Sequence, residues 1–155
     1  YYGIQTLRAE ENFHITGVSI ASQPSFIRAF GMVKKAAALA NRDCGVLSST
    51  LCDAICYACD RLIAGQHIDQ FISDLIQGGA GTSTNMNVNE VIANIGLEWM
   101  GKHKGQYEFL HPNNHVNASQ STNDTWPTAF RLALYFQIEE LAAAILTGDG
   151  QPLHL

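Results

Sequence analysis

Apolar positions in this chain fall into four stretches with helical spacing, separated by glycine and hydroxyl-rich punctuation. Ser22 before Pro24 opens the first, because proline is tolerated in the first turn of a helix. Phe26, Phe30, Val33 and Ala37 continue that pattern until it fades at Asn41. The second starts near Ser48, carries Leu51, Ile55, Ala58 and Leu62 on one face, and stops at Gly65. A third follows Gly81 and runs through Val91, Ile95 and Leu97 to Gly101. The fourth begins at Asp124, with Phe130, Leu134, Ile138, Leu141 and Ile145 at helical intervals. From Trp126 to Leu146 it would be about 30 Å long at the helical rise. Its stripe is strongly apolar and needs partner helices to cover it. Residues 1–23 read as irregular, broken by Gly3 and Gly17; residues 71–76 are ambiguous, and 102–112 read as a polar loop. Two glycines and a proline in residues 147–155 end the last helix abruptly. The pattern predicts a mainly α protein.

Composition narrows the function. Hydrophobic residues make up 46 % of the 155 and charged ones 15 %, enough apolar material for a core and unlike a disordered chain. The formal charge is −5, so no basic face is expected for nucleic acid. No apolar run approaches the roughly 18–20 residues of a membrane span, and no signal-peptide pattern opens the chain. A cytoplasmic protein is the expectation. Cys52, Cys56 and Cys59 lie at i, i+4 and i+7 on one helix, with Cys44 shortly before. No second ligand pair follows for zinc, and no strand precedes for a thioredoxin-like motif. They read as small thiols on an apolar face, without a disulfide.

The candidate chemistry lies at two helix starts. Thr82, Ser83 and Thr84 follow a glycine-rich stretch, and Ser121, Thr122 and Asn123 open the last helix. Such residues cap helices. They also build anion sites, since helix N-termini offer free N–H groups and the positive end of the dipole. Glycines let a ligand approach the backbone, and hydroxyls add donors without net charge. No lysine follows Gly81 as in a P-loop, and Gly78-Gly79-Ala80-Gly81 lacks the dinucleotide-binding spacing. His111 and His115 could share a metal if helical, but nothing between them supplies a further ligand, so hydrogen bonding is the expected role.

Several blocks resemble the aspartase/fumarase superfamily, most closely its aspartate ammonia-lyase branch. They are residues 1–9 with Glu11-Asn12-Phe13, residues 78–90, and residues 111–128. Val33-Lys34-Lys35-Ala36-Ala37 and Asp69-Gln70-Phe71 also look like the family. The resemblance implies a helical N-terminal domain at residues 1–120 and the first helix of a central helical bundle at 121–155. Four subunits would pool their bundles, with each active site drawn from three chains. Thr82, Ser121 and Thr122 would hold the β-carboxylate of a dicarboxylate substrate. Asn123, with Thr82, would hold its amino group, and Asn85 would shape the pocket. His111, Asn113 and Asn114 form a candidate secondary anion site.

The implied reaction is reversible removal of ammonia from L-aspartate to give fumarate, with no organic cofactor and no metal ligand. The alternatives are hydration of fumarate to L-malate, or a non-catalytic assembly or binding fragment. The family's serine base, on a glycine-serine-serine loop, has no counterpart in these residues, nor has its threonine-histidine pair. Asn114 stands where the family often has an acid, the family's N-terminal lead-in is absent, and residues 148–155 do not look like its continuing helix. A truncated chain, inactive alone, is the expectation.

Overall fold

The computed structural model describes residues 1–77 and 79–147. Five helices carry the fold: α1 (Ile4–Asn12), α2 (Pro24–Asp43), α3 (Ser49–Ile63), α4 (Thr82–Trp99) and α5 (Thr122–Thr147). Among the described residues the only extended pairing is a single bridge between Ser19 and Asp74, so the chain is mainly α as expected. The expected end of the last helix over 148–155, and Gly78 of the glycine stretch, lie outside the described residues.

The four predicted helices form where capping and periodicity place them. Pro24 occupies the first turn of α2, and the Ser48 hydroxyl accepts from the Leu51 amide to cap α3. On α2 the buried face is Ile27, Phe30, Lys34, Ala38 and Asn41, rotated slightly from the apolar stripe read in the sequence. On α3 Cys52 and Cys59 are buried, Cys56 is half-buried and Cys44 is exposed, all as free thiols. Burial, and then Cys52, push the Cys56 thiol up to about 11, which leaves it an inert, protonated group.

The first correction concerns residues 1–23. They include α1, where an irregular segment was expected. Little in the segment itself favours a helix, and only Thr6 and Ala9 are buried. The stabilising group lies on α4: the Glu90 carboxylate accepts from the Gly3, Gln5 and Thr6 amides at 2.9, 2.9 and 3.1 Å and from the Thr6 hydroxyl at 2.6 Å. A negative charge thus satisfies the free donors at the helix start from far along the chain. Asp74 plays a similar part nearby. Burial opposes its charge, but amides of Ile76, Thr16 and Gly17 with the Thr16 hydroxyl hold its carboxyl well below the usual range.

Helix α4 is the centre of the fold. Every residue from Asn87 to Leu97 is buried, against α1, α3 and the turn at Pro112–Val116. Gly96 permits the approach to α3 and the following loop, since a Cβ there would lie 2.5 Å from Leu110 Cδ2 and 3.2 Å from the Ala54 carbonyl oxygen. Its buried amides are matched to loop backbone. Asn87 donates to the Gln70 carbonyl, while Asn94 accepts from the Gly105 amide. The segment 102–112 is indeed irregular, yet Leu110 and Pro112 are buried in it.

Helix α5 starts at Thr122, two residues earlier than the sequence suggested, and packs on α2 through Ala129 and Ala133. Phe130, Leu134, Ile138, Leu141 and Ile145 are all exposed. The expected uncovered stripe is therefore present. Among the described residues no helix is long and apolar enough to cross a membrane.

Candidate functional site

The starts of α4 and α5 lie side by side. Gly81 precedes α4 with φ of 80°, a conformation that glycine adopts without penalty. A Cβ at that position would fall inside the Trp126 indole on α5. Trp126 is itself held by stacking on Phe130 at 5.4 Å and an edge contact with Phe26 at 5.8 Å. The backbone of one helix start thus rests on a fixed ring of the other.

Asn85 ties the two starts together by hydrogen bonds. Only 2 % exposed, it donates through Nδ2 to Asn117 Oδ1 at 3.0 Å and to Thr122 Oγ1 at 3.3 Å. Its Oδ1 accepts from the Thr125 hydroxyl at 3.3 Å. Two amide protons meet two acceptors, so the side chain has one sensible orientation.

Capping takes some donors and leaves others. Gln77 caps α4 by accepting from the Thr84 amide at 2.8 Å and donating to the Thr84 hydroxyl. Ser121 caps α5, its Oγ accepting from the Asn123 amide at 3.1 Å. The amides of Thr82, Ser83 and Thr122 have no acceptor among the described residues. Thr82, Ser121 and Asn123 are exposed and Thr122 is half-buried. Capping and anion binding are therefore compatible: each helix start spends one cap and keeps free N–H and O–H groups beside the other.

Three polar residues were not singled out by sequence reasoning. Lys34, fully buried on α2, donates to Asn117 Oδ1 at 2.8 Å and Gln120 Oε1 at 3.0 Å. It makes no ion pair among the described residues, whereas its neighbour Lys35 pairs with Asp60 at the surface. Burial lowers the Lys34 ammonium to about 7, with Cys59 acting in the opposite direction. Asn117 also accepts from Asn89 at 3.3 Å and donates to the Gln120 carbonyl at 3.1 Å. The one available signal was phase: Lys34 is spaced helically from Ile27, Phe30, Ala38 and Asn41, and Lys35 is not.

The histidine segment is built differently. Residues Pro112–Val116 form a single wide helical turn, in which His111 Nδ1 accepts from the Asn113 and Asn114 amides at 3.0 and 3.2 Å. His115 Nδ1 accepts from the His111 amide at 2.9 Å. Burial first, then His111, lower the His115 imidazole. The rings act as hydrogen-bond acceptors within the turn, and no cluster of three or more metal-ligating side chains occurs among the described residues. At the candidate secondary anion site the amides are taken by His111, while the Asn113 and Asn114 side chains are exposed. Because His111 Nδ1 accepts, its proton sits on Nε2, which remains a donor.

A mainly helical fold with two donor-rich helix starts brought together agrees with the class that sequence comparison defines. The model of the family described as Lyase matches residues 1–147, and the chain belongs to that family. Among its relatives is the aspartate ammonia-lyase of Helicobacter pylori strain J99, 61 % identical over 143 residues, which cover 92 % of this chain and 31 % of that enzyme. The chain thus spans about a third of the length of the curated relatives it matches. A crystal structure named fumarate lyase:delta crystallin, from Brucella melitensis, superposes with TM-score 0.91 at 52 % identity. It covers 93 % of this chain and 32 % of its own. The class II fumarase of Schistosoma mansoni gives TM-score 0.80 at 39 % identity, over 86 % of this chain and 28 % of that one.

Proposed function

We propose that this chain carries the carboxylate-binding part of an aspartate ammonia-lyase, which removes ammonia from L-aspartate to give fumarate. The observation that carries the reading is the Asn85 bridge between the starts of α4 and α5, through Thr122 and Thr125, which supports gathering Thr82, Ser121 and Thr122 into one site. Two helix dipoles and several uncharged donors there suit a small dianion. Identity of 61 % to an aspartate ammonia-lyase supports the substrate class.

The chemistry asked of such a site is electrostatic. Abstracting the weakly acidic Cβ proton moves charge onto the adjacent carboxylate, giving an enediolate-like dianion. Donors already aimed at that carboxylate stabilise the developing charge without reorganising. Thr82, Ser121 and Thr122 fill this role, Asn123 with Thr82 holds the amino group, and Asn85 fixes the frame. His111, Asn113 and Asn114 make a secondary anion site through His111 Nε2 and the exposed amide side chains. No organic cofactor is required.

In this reading residues 1–120 are the N-terminal domain, and the segment from 121 begins a central bundle shared by four subunits. The exposed stripe of α5 fits such an assembly. The compartment is cytoplasmic. A fumarate hydratase is the second reading, favoured by the likeness to the Schistosoma mansoni fumarase, though at the lower identity of 39 %.

The test is direct. Residues 1–147 of this chain, placed in the matching segment of the full-length Helicobacter pylori relative, should give a lyase that releases fumarate from L-aspartate and not from L-malate. The reverse preference would establish the hydratase reading instead. Thr122→Val in that enzyme should lower kcat/KM about 100-fold, the scale of losing one oxyanion-type donor. The 155-residue chain by itself should form no fumarate, because no residue in it matches the family's serine base.

A further inference from the structure

The Lys34 ammonium is the least expected charge in the molecule. It lies fully buried on α2, and its two partners are the amide oxygens of Asn117 and Gln120 rather than a carboxylate. A buried charge with only neutral partners is costly, so a reason for keeping it is to be sought in what those partners do.

Both amides are locked by it. Protonated, Lys34 has no acceptor atom, so Asn117 turns its oxygen toward Nζ and its Nδ2 away, where it donates to the Gln120 carbonyl at 3.1 Å. With Asn117 Oδ1 so placed, Asn85 must face it with its NH2 group, at 3.0 Å. The second proton of that group then reaches Thr122 Oγ1 at 3.3 Å. Gln120 is fixed in the same way, its Nε2 donating to the Val116 and Ala118 carbonyls at 2.9 and 3.1 Å. A hydroxyl that already accepts a hydrogen bond from behind presents its own proton outward.

The geometry points to Lys34 as a positioning residue: through Asn117 and Asn85 it sets the Thr122 hydroxyl as a donor toward a bound dicarboxylate. The inference rests on the dicarboxylate reading above. The direction of each bond in the chain follows from the protonated lysine together with the Gln120 carbonyl, both of which turn the Asn117 oxygen toward Asn85. Were Asn117 reversed, its NH2 group would oppose Nζ. Asn85 would then offer its oxygen, and Thr122 would point its proton inward, away from the ligand.

The test is a double-mutant cycle on the full-length lyase carrying residues 1–147, read by calorimetric binding of succinate, a non-reacting dicarboxylate. Lys34→Met keeps the length and apolar stem of the side chain and removes its donors. It should weaken succinate at least tenfold in the otherwise unchanged enzyme. In a Thr122→Val background, where there is no hydroxyl to orient, the same change should cost less than twofold. Losses that simply multiply would overturn the inference, since a general structural defect does not depend on the Thr122 hydroxyl. Should Lys34→Met fail to assemble, Asn117→Ala breaks the same chain one step later and should give the same non-multiplying pattern; multiplying losses there would likewise overturn it. Failure of the dicarboxylate reading is distinguishable: Thr122→Val alone would then bind succinate as tightly as the unsubstituted enzyme.

Discussion

Helices α4 and α5 show opposite ways of using a long helix. α4 is buried along Asn87 to Leu97 by its own chain. Its polar side chains there are matched to backbone, hydroxyl and amide groups of other segments, with Asn89 Oδ1 the one buried side-chain acceptor left without a partner among the described residues. α5 packs on its own chain through Ala129, Ala133 and the half-buried Trp126 and Leu132, and leaves Phe130, Leu134, Ile138, Leu141 and Ile145 exposed. One helix is covered within these residues; the other leaves a large apolar surface exposed. The candidate site lies where the two meet, at their N-termini. Its α4 side is packed by the chain itself, while the α5 side carries the exposed apolar stripe.

Substitutions on the two helices should therefore separate stability from assembly. The largest effect is expected for Glu90→Ala, which strands three amides and a hydroxyl at the start of α1. A loss of about 3–5 kcal/mol is expected, read from the urea midpoint by circular dichroism. An unchanged midpoint would remove α4 as the organiser of the fold.

Lys34 gives a pH signature of intermediate size. Its folded pKa of about 7 lies below its ordinary value of 10.5, so between these limits the unfolded chain binds the additional proton. Stability should rise with pH across that window, by up to ~1.4 kcal/mol per unit, and stay flat below it for this group. Lys34→Met should flatten the slope in urea titrations at pH 7, 8 and 9, leaving the smaller share of the Tyr1 amino group, which burial also lowers.

Ser121→Ala removes the α5 cap and should cost about 1 kcal/mol in the same titration. The smallest change in stability, within about 0.5 kcal/mol, is expected for Leu134→Lys with Ile138→Lys, because both side chains are exposed. Yet this pair should abolish the oligomer of the full-length lyase on a sizing column. An intact oligomer would show that the α5 stripe is not its contact surface.

Much of this was legible in the amino-acid sequence because it is local. Pro24, Ser48 and Gly81 mark helix starts by their own chemistry, and the α2, α3, α4 and α5 stripes carry the helical period. What was missed depends on distant partners. α1 contains little apolar material, and its start is satisfied by Glu90, more than eighty positions away. Leu110 sits inside a polar stretch, and its burial follows from the gap that Gly96 leaves on α4. Lys34 looks like half of a surface pair with Lys35 until the phase of α2 separates them. Residue type at the helix starts marked both hydroxyl clusters but not that they meet; that expectation came from the family resemblance, and the Asn85 contacts bring the two together.

The most direct measurement is a crystal structure of the full-length lyase carrying residues 1–147 with succinate bound. The account predicts one succinate carboxylate within hydrogen-bond distance of the Thr122 and Ser121 hydroxyls and of Thr82, in front of the Asn85 bridge. Succinate held elsewhere, with both helix starts facing only solvent, would contradict it.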